Sequence, residues 1–301
     1  MTIQRNELTT GTISAIFAFF FWGMFPVYWK LLDSVGALEL LAHRIVWALL
    51  VTTILVLLTQ RRELVKALRD PKALLLAALA GILVGGNWFL FVWAVVSGQI
   101  LQASLGYYIN PLVNVLLGTI ILRERLTKAQ LAAVGIAAAG VVVLTISYGR
   151  VPWISLGLAS SFGLYGLVKK TGRLNSLLSL FVELSVLTPT ALIYLIIIVR
   201  AGTAAFGAGD SLVSVLLAVS GIVTVVPLLL FGVGARRIPL SRLGFIQYIA
   251  PTMMLLVGTL IYHEPFSPAH AISFGLIWLA LTVYTVTLSR RFQEQPHAVD
   301  V

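Results

Sequence analysis

The chain has 301 residues, of which 59% are hydrophobic and only 11% are charged, with a mean hydropathy of +0.99 and a formal net charge of +10. Soluble domains carry about 25% charged residues, so this composition excludes a water-soluble globular protein. The basic excess does not indicate nucleic-acid binding, because the Lys and Arg residues lie mostly in short connections between apolar segments.

Apolar segments of membrane-spanning length follow one another along the chain, each near the roughly 20 residues that such a helix needs. Ten are predicted, at 12–31, 39–59, 73–96, 100–122, 128–147, 152–169, 177–199, 212–233, 240–262 and 269–289. Their apolar residues are continuous rather than alternating, which favours helices over a transmembrane β-barrel. The first segment runs on through Trp22 and Tyr28 without a small-residue cleavage site, so we expect a retained helix. The predicted fold class is an all-α polytopic membrane protein.

The distribution of Lys and Arg predicts the orientation of these segments. With a cytoplasmic N-terminus, 17 basic residues lie inside: Arg5, Arg61, Arg62, Lys66, Arg69, Lys72, Arg123, Arg125, Lys128, Lys169, Lys170, Arg173, Arg236, Arg237, Arg242, Arg290 and Arg291. Three lie outside, namely Lys30, Arg150 and Arg200. Cytoplasmic loops carry an excess of Lys and Arg, so we expect both termini to be cytoplasmic.

The chain resembles itself at an offset of 140 residues, which indicates an internal duplication. The positions Pro111, Gly118 and Gly135 return as Pro251, Gly258 and Gly275 in a list of matches that also includes Gly23 with Gly163 and Tyr108 with Tyr248. Each copy holds five segments, and an odd number places two copies in opposite directions across a membrane. The turn at 123–128 holds three basic residues and its counterpart at 263–268 holds none, as opposite faces require. We therefore predict two inverted five-helix repeats, at 12–147 and 152–290, with short cytoplasmic tails at 1–11 and 291–301.

Motifs in both halves carry a family resemblance. They are Phe21-Trp22-Gly23, Tyr28-Trp29-Lys30, His43-Arg44, Asn87-Trp88, Gly106-Tyr107-Tyr108-Ile109-Asn110-Pro111, Glu124-Arg125-Leu126, Gly244-Phe245-Ile246-Gln247-Tyr248-Ile249-Ala250-Pro251 and His263-Glu264-Pro265-Phe266. With them the sequence resembles, over nearly its whole length, the EamA-type permeases of the drug/metabolite transporter superfamily, and within them the RarD-like (chloramphenicol-sensitivity) proteins. The resemblance implies ten transmembrane helices in two inverted EamA repeats, both termini on the cytoplasmic side of the inner (plasma) membrane, and export or exchange of small metabolites or drugs.

Polar residues within spans are costly, so they are candidates for function. Tyr107, Asn110 and Asn114 recur at helical spacing and share one face of the fourth segment. Gln247 is the polar repeat partner of Tyr107, and the other two partners are apolar. We predict that these four residues line a substrate-binding cavity between the repeats. The alternative is that the asparagines only form hydrogen bonds between helices.

Aromatic residues and prolines extend the predicted site. Trp22 and Trp88 lie beside a glycine and beside Asn87, and we expect all three to line the cavity, with the indole rings stacking on flat substrates. Pro111 and Pro251 each remove a backbone donor within a span at matched repeat positions. We predict that they act as hinges.

Ionisable residues within spans are candidates for proton coupling. Glu39 and His43 lie at i and i+4 and can pair, and an imidazole changes charge near neutral pH. Glu183 is the repeat partner of His43. The alternative places Glu39 and Arg44 at the membrane interface, with Arg44 snorkelling, and satisfies Glu183 with one of the lysines at 169–170. The interfacial position is the expectation for Arg44.

The predicted function is a secondary transporter, an exporter or exchanger, that moves a small amphipathic metabolite or drug-like solute by alternating access. Export of amino acids or related metabolites is the alternative within this fold, and a binding group for a carboxylate would favour it. The expected partners are a small-molecule substrate and the lipid bilayer, without nucleic acid, and a homodimer is left open.

A membrane-embedded enzyme is the alternative from another class, and motif content disfavours it. The letters Gly209-Asp210-Ser211-Leu212 are similar to the nucleophile block of GDSL esterases, but no Asp-x-x-His follows. No H-E-x-x-H metal site, G-x-S-x-G elbow or phosphate-binding loop occurs, and no cysteine is present. We therefore expect no cofactor and no metal.

Overall fold

The structure, a computed structural model, describes residues 2–97, 100–149, 152–263 and 268–294. The regular elements in this part of the chain are all helices, which confirms the all-α class. They are α1 (Thr2–Lys30), α2 (Ala37–Thr59), α3 (Arg61–Ala67), α4 (Pro71–Val96), α5 (Ile100–Ile120), α6 (Lys128–Tyr148), α7 (Trp153–Thr171), α8 (Ser176–Arg200), α9 (Ser211–Arg237), α10 (Leu240–Gln247), α11 (Ile249–Leu256) and α12 (Pro268–Glu294). A π-helical turn, Val257–Ile261, continues α11. The short helix α3 lies in the connection between the second and third predicted segments and was not predicted.

Helix length and composition confirm a polytopic membrane protein. Over the described residues, seven stretches are long and apolar enough to cross a membrane: Asn6–Lys30, Ala37–Thr59, Pro71–Ala94, Lys128–Ser147, Ser176–Arg200, Ser211–Arg237 and Leu240–Ile261. Helices α5 and α12 contribute the shorter apolar stretches Leu105–Ile120 and Ala271–Thr287, and α7 is interrupted by serines and glycines. The count of ten spans stays a prediction. Arg150 and the turn at 264–267, which enter the charge comparison, lie outside the described residues.

Local sequence signals position several helix ends. Thr127 and Gln130 form a capping box at the start of α6, in which each side chain accepts from the other residue's backbone N–H. Asn175 caps α8 and Asp210 caps α9, each by accepting two backbone N–H groups. The esterase-like letters Gly209-Asp210-Ser211-Leu212 are therefore a helix cap, because Asp210 is engaged with the backbone.

Helix packing encloses a space between the two halves of the chain. Helix α1 packs against α9 and α11, α4 against α7 and α8, and α5 against α7 and α10. The larger core contains Phe19, Tyr165 and Phe231 from α1, α7 and α9, and a second core contains Tyr108 and Phe274 from α5 and α12. Between these cores, helices α1, α2, α4, α5, α7 and α11 surround a cavity.

Candidate functional site

A cavity of about 340 Å³ lies between helices of both halves. Its polar lining residues are Arg44, Asn87, Tyr107, Asn110 and Gln247. Its aromatic lining residues are Phe19, Trp22, Phe25, Trp29, Trp88, Phe91, Tyr107 and Phe162. Small-molecule sites are typically about 300–1,000 Å³, mostly apolar, with a few polar groups that orient the ligand. The cavity matches that description at its small end.

The cavity lies toward one end of the helix bundle. Its lining comes from the C-terminal half of α1 (19–29), the first turns of α2 (37–44), the C-terminal part of α4 (87–92) and the N-terminal half of α5 (103–110). These segments lie next to the α1–α2 and α4–α5 connections, which share one end of the bundle. We call this the α1–α2 end.

Three amide side chains join α5 to α10 beside the cavity. Asn114 Nδ2 donates to Gln247 Oε1 at 2.6 Å and lies 3.4 Å from Asn110 Oδ1. Asn110 and Gln247 line the cavity, whereas Asn114 is fully buried behind them. This arrangement orients the two lining amides, and it leaves the Oδ1 atom of Asn114 without a partner among the described residues. The predicted binding residues thus divide into two cavity-lining groups and one supporting group.

Arg44 lies in the cavity wall, which corrects the expectation that it snorkels to the interface. Its guanidinium carbon lies 4.3 Å from the Trp88 ring centroid and 5.4 Å from that of Trp29. Its Nε atom lies 3.3 Å from Thr224 Oγ1. The physical reason is that indole faces from α1 and α4 shelter the cation inside the bundle. Sequence reasoning missed this residue because its aromatic neighbours come from other helices.

The remaining predicted cavity residues line the walls in different ways. Trp22 meets Phe162 edge-on at 5.6 Å between ring centroids. Tyr107 packs against Phe91 at 5.9 Å. Asn87 lines the cavity, but its Nδ2 donates to Leu158 O and Ser161 Oγ, each at 2.9 Å, so its amide nitrogen also joins α4 to α7.

A layer of packed rings closes the cavity on the side away from the α1–α2 end. We call it the aromatic layer, and it consists of Phe19, Trp22, Phe162, Tyr165 and Phe231. The Phe231 ring lies 5.9 Å from Phe19, 5.3 Å from Phe162 and 5.5 Å from Tyr165, measured between centroids. Phe19, Trp22 and Phe162 line the cavity, while the other two rings lie beyond them.

Behind the aromatic layer, Glu183 is the centre of a buried polar network. Its carboxylate accepts from Lys169 Nζ and Ser179 Oγ, each at 2.6 Å, and from the Tyr165 hydroxyl at 3.0 Å. We call these four residues the Glu183 network. Both ionic side chains are almost completely buried. The structure therefore shows the lysine partner that one of the two sequence interpretations required.

Glu39 and His43 lie near the α1–α2 end and do not line the cavity. His43 Nε2 is 3.8 Å from Glu39 Oε1, and both residues are buried. The same Glu39 oxygen accepts the backbone N–H groups of Ala205 at 2.7 Å and Phe206 at 3.3 Å, and the His43 ring stacks on Phe206. Glu39 thus holds the α8–α9 connection, and His43 and its repeat partner Glu183 occupy separate environments.

The two matched prolines differ in their local structure. Pro111 lies inside α5, which runs without interruption. Pro251 lines the cavity and follows a break between α10 and α11, where the Tyr248 N–H donates to Phe245 O at 3.3 Å. Because Pro251 has no N–H, the carbonyl four residues earlier, on Gln247, lacks its helical donor.

Comparisons with known proteins agree with this architecture. The model of the EamA-like transporter family matches residues 9–146. The chain is 45% identical over 287 residues to the uncharacterized transporter YojE of Bacillus subtilis (strain 168), with 94% of this chain and 96% of the relative covered. It is 41% identical to protein RarD of Escherichia coli (strain K12), over 94% and 96% of the two chains. A crystal structure superposes with a TM-score of 0.70 at 21% identity, over 94% of this chain and 99% of the other, which shows a shared fold alone. The chain therefore belongs to the EamA-like transporter family, as a membrane transporter of the RarD-like group.

Proposed function

We propose that this protein is a secondary transporter that exports or exchanges a small amphipathic metabolite or drug-like solute across the inner membrane by alternating access. The observation that carries the proposal is the cavity between the two halves of the chain, with Asn110 from one half and Gln247 from the other in its wall. A solute bound there contacts both halves. Relative motion of the two halves around such a site is what alternating access requires.

Repeat-related contacts support the inverted duplication on which this mechanism depends. A Cβ atom on Gly23 would lie 2.4 Å from Met253 Cβ, so only glycine allows α1 this close to α11. A Cβ atom on Gly163 would lie 2.7 Å from Val113 Cγ1, where α7 meets α5. Gly23 and Gly163 are 140 residues apart, and so are Val113 and Met253. The same contact therefore recurs in both halves, as expected for repeats at 12–147 and 152–290.

The position of the cavity supports an assignment of the conformational state. The cavity extends to Ala37, the first residue of α2, and the aromatic layer closes its other side. The Lys and Arg distribution assigns the α1–α2 end to the outside, with both termini cytoplasmic. In this proposal the structure is the outward-facing state, and the inward-facing state forms when the aromatic layer separates.

Proton coupling through Glu39, His43 and Glu183 is the energetic part of the proposal. His43 faces Glu39 near the outer end, and the Tyr194 side chain interacts electrostatically with the same carboxylate. Glu183 lies behind the aromatic layer and faces Lys169, Tyr165 and Ser179. The two repeat partners thus lie on opposite sides of the closed layer, where each can exchange a proton with one side only.

A counterflow screen in proteoliposomes tests the proposal. Purified protein is reconstituted and loaded with amphenicols, aromatic amphiphiles or amino acids, and uptake of the labelled solute is measured. We expect saturable exchange of at least one aromatic amphiphile, because the walls are aromatic. A folded protein that exchanges no solute of the panel would contradict the transporter mechanism.

A further inference from the structure

We infer that the transported solute is an organic monoanion, a carboxylate on a flat apolar body, and that Arg44 is the residue that recognises the carboxylate. This inference rests on the proposed function, since it takes the cavity as the transport site. It names the substrate class and adds a specificity-determining residue that spacing did not indicate.

The first step is the charge of the cavity. Arg44 is the one charged residue among the described lining residues, and no carboxylate of the described chain forms an ion pair with it. An unpaired cation inside a membrane protein is costly and marks a functional site by default. Glu39, on the same helix, is engaged by two backbone N–H groups and His43 instead. The missing negative charge is therefore supplied by the ligand.

The second step is the geometry of the guanidinium group. Its Nε atom is directed to Thr224 Oγ1, and the rings of Trp88 and Trp29 cover the cation. The Nη nitrogens carry four of the five N–H donors, and these have no acceptor among the described residues. A held, planar fork of this kind matches the two oxygens of a carboxylate, which accept parallel hydrogen bonds.

The third step concerns the rest of the ligand. The wall beyond Arg44 is formed by rings, among them Trp22, Phe91 and Phe162, which favour a flat apolar body. Asn110 and Gln247 provide amide groups for one polar substituent. No Asp or Glu occurs among the described lining residues, so the ammonium group of an amino acid would have no anionic partner. A simple carboxylate fits this set of groups better than a zwitterion or a neutral amide.

Three probes with one carbon skeleton test the charge requirement. 3-Phenylpropionate, 3-phenylpropanamide and phenylalanine present a carboxylate, a neutral amide and a zwitterion, and each is offered to reconstituted wild-type protein at neutral pH. We expect the carboxylate to be exchanged at least about tenfold better than the other two, the ratio that corresponds to one well-formed charged contact. Equal or better exchange of the amide or the amino acid overturns the inference.

Variants of Arg44 test the residue assignment. Arg44→Gln is expected to remove the preference for the carboxylate, and Arg44→Lys to keep part of it, because lysine retains the charge but not the fork. Arg200→Gln is the matched control, since Arg200 is exposed at the end of α8 and is expected to leave exchange unchanged. A carboxylate preference that survives in Arg44→Gln overturns the assignment.

A binding measurement on the wild type covers the case in which Arg44→Gln does not fold. Thermal unfolding in detergent is recorded with each probe, and only the carboxylate is expected to raise the melting temperature. If none of the three probes binds while another solute is exchanged, the monoanion inference fails and the transporter proposal stands. If no solute is exchanged at all, both fail.

Discussion

At the scale of single residues, the cavity depends on a few polar side chains held in an apolar wall. Asn114 lies at the centre of one such group, because it contacts both Asn110 and Gln247 from a buried position. Buried amides are stable only when their hydrogen bonds are made, so this contact limits the orientations of the two lining amides. The wall therefore presents oriented polar groups to a solute.

Asn110→Ala and Gln247→Ala test the amide contribution. We expect each change to reduce solute exchange by at least about tenfold, because a polar contact from one half of the chain is lost. Counterflow in proteoliposomes measures the effect, with thermal stability recorded in parallel. Asn6→Ala is the matched control, since Asn6 is an exposed helical asparagine away from the cavity. Full exchange in both cavity variants would contradict the site.

Glu183→Gln tests the buried ion pair with Lys169. We expect it to reduce the free energy of unfolding by about 3–5 kcal/mol, because Lys169 is left as an uncompensated buried charge. The double variant Lys169→Met/Glu183→Gln is expected to recover much of that loss, since neither charge remains. Unfolding in detergent measures both. Arg173→Gln, which breaks an exposed ion pair with Asp70, is the control and is expected to change stability little.

The double variant also separates structure from proton coupling. If Glu183 carries a proton during transport, flux in the refolded double variant no longer depends on an imposed pH gradient. His43→Ala is expected to give the same loss, while Glu39 keeps its bonds to the α8–α9 connection. Gradient-dependent flux that persists in both variants argues that these residues serve the fold alone.

At the scale of elements, the ninth predicted segment differs from its repeat partner. Helix α5 is continuous through Pro111, whereas the partner is divided into α10, α11 and a π-helical turn. Irregular backbone at membrane depth is tolerated where it is buried or lines a cavity, and this division begins at Gln247 beside the cavity. The second half thus contains the more deformable of the two matched helices.

Pro251→Ala tests whether this division acts as a hinge. The substitution returns a backbone N–H to the Gln247 carbonyl, so we expect a straighter, stiffer helix and exchange slowed several-fold with unchanged solute affinity. Exchange rates and thermal-shift titrations measure the two effects. Pro189→Ala is the matched control, because Pro189 lies inside α8 with its side chain exposed. A change in affinity without a change in rate would contradict the hinge.

At the scale of the whole molecule, contacts come in repeat-related sets. Helix α1 packs on α9, and the repeat counterparts α7 and α4 also pack together. The counterparts α2 and α8, α5 and α10, and α6 and α12 pack on each other. The Tyr248 hydroxyl donates to the carbonyl of Tyr108, its partner 140 residues earlier, at 3.3 Å. Such self-paired contacts are expected along a pseudo-two-fold axis, and they support the proposed inversion.

Cysteine labelling tests the inversion directly, since the chain has no native cysteine. Asp33 and Arg173 are repeat partners 140 residues apart in the α1–α2 and α7–α8 connections, with side chains 66% and 61% exposed. In an inverted repeat they lie on opposite faces of the membrane. We expect an impermeant maleimide to label Asp33→Cys in intact cells and Arg173→Cys only after permeabilisation. Labelling of both from one face would contradict the inversion.

The sequence predicted more of the architecture than of the site. The helical class and most helix limits follow from apolar length, because lipid requires every backbone group to be satisfied within its own helix. Trp22, Trp88, Asn110 and Gln247 line the cavity as their spacing and neighbours predicted. Arg44 was misplaced, because a cation can be sheltered at the interface or within the bundle, and local spacing does not distinguish the two.

The sequence by itself determined that this chain is an all-helical membrane protein with a 140-residue internal echo, since hydrophobic length and periodicity are properties of each segment alone. Only the tertiary structure decided which polar groups meet. Glu183 received Lys169 from a neighbouring helix, and Arg44 received two indole faces and no carboxylate in the described chain. The physical reason is that charge compensation and ring packing act between helices, at separations that no spacing along one helix encodes.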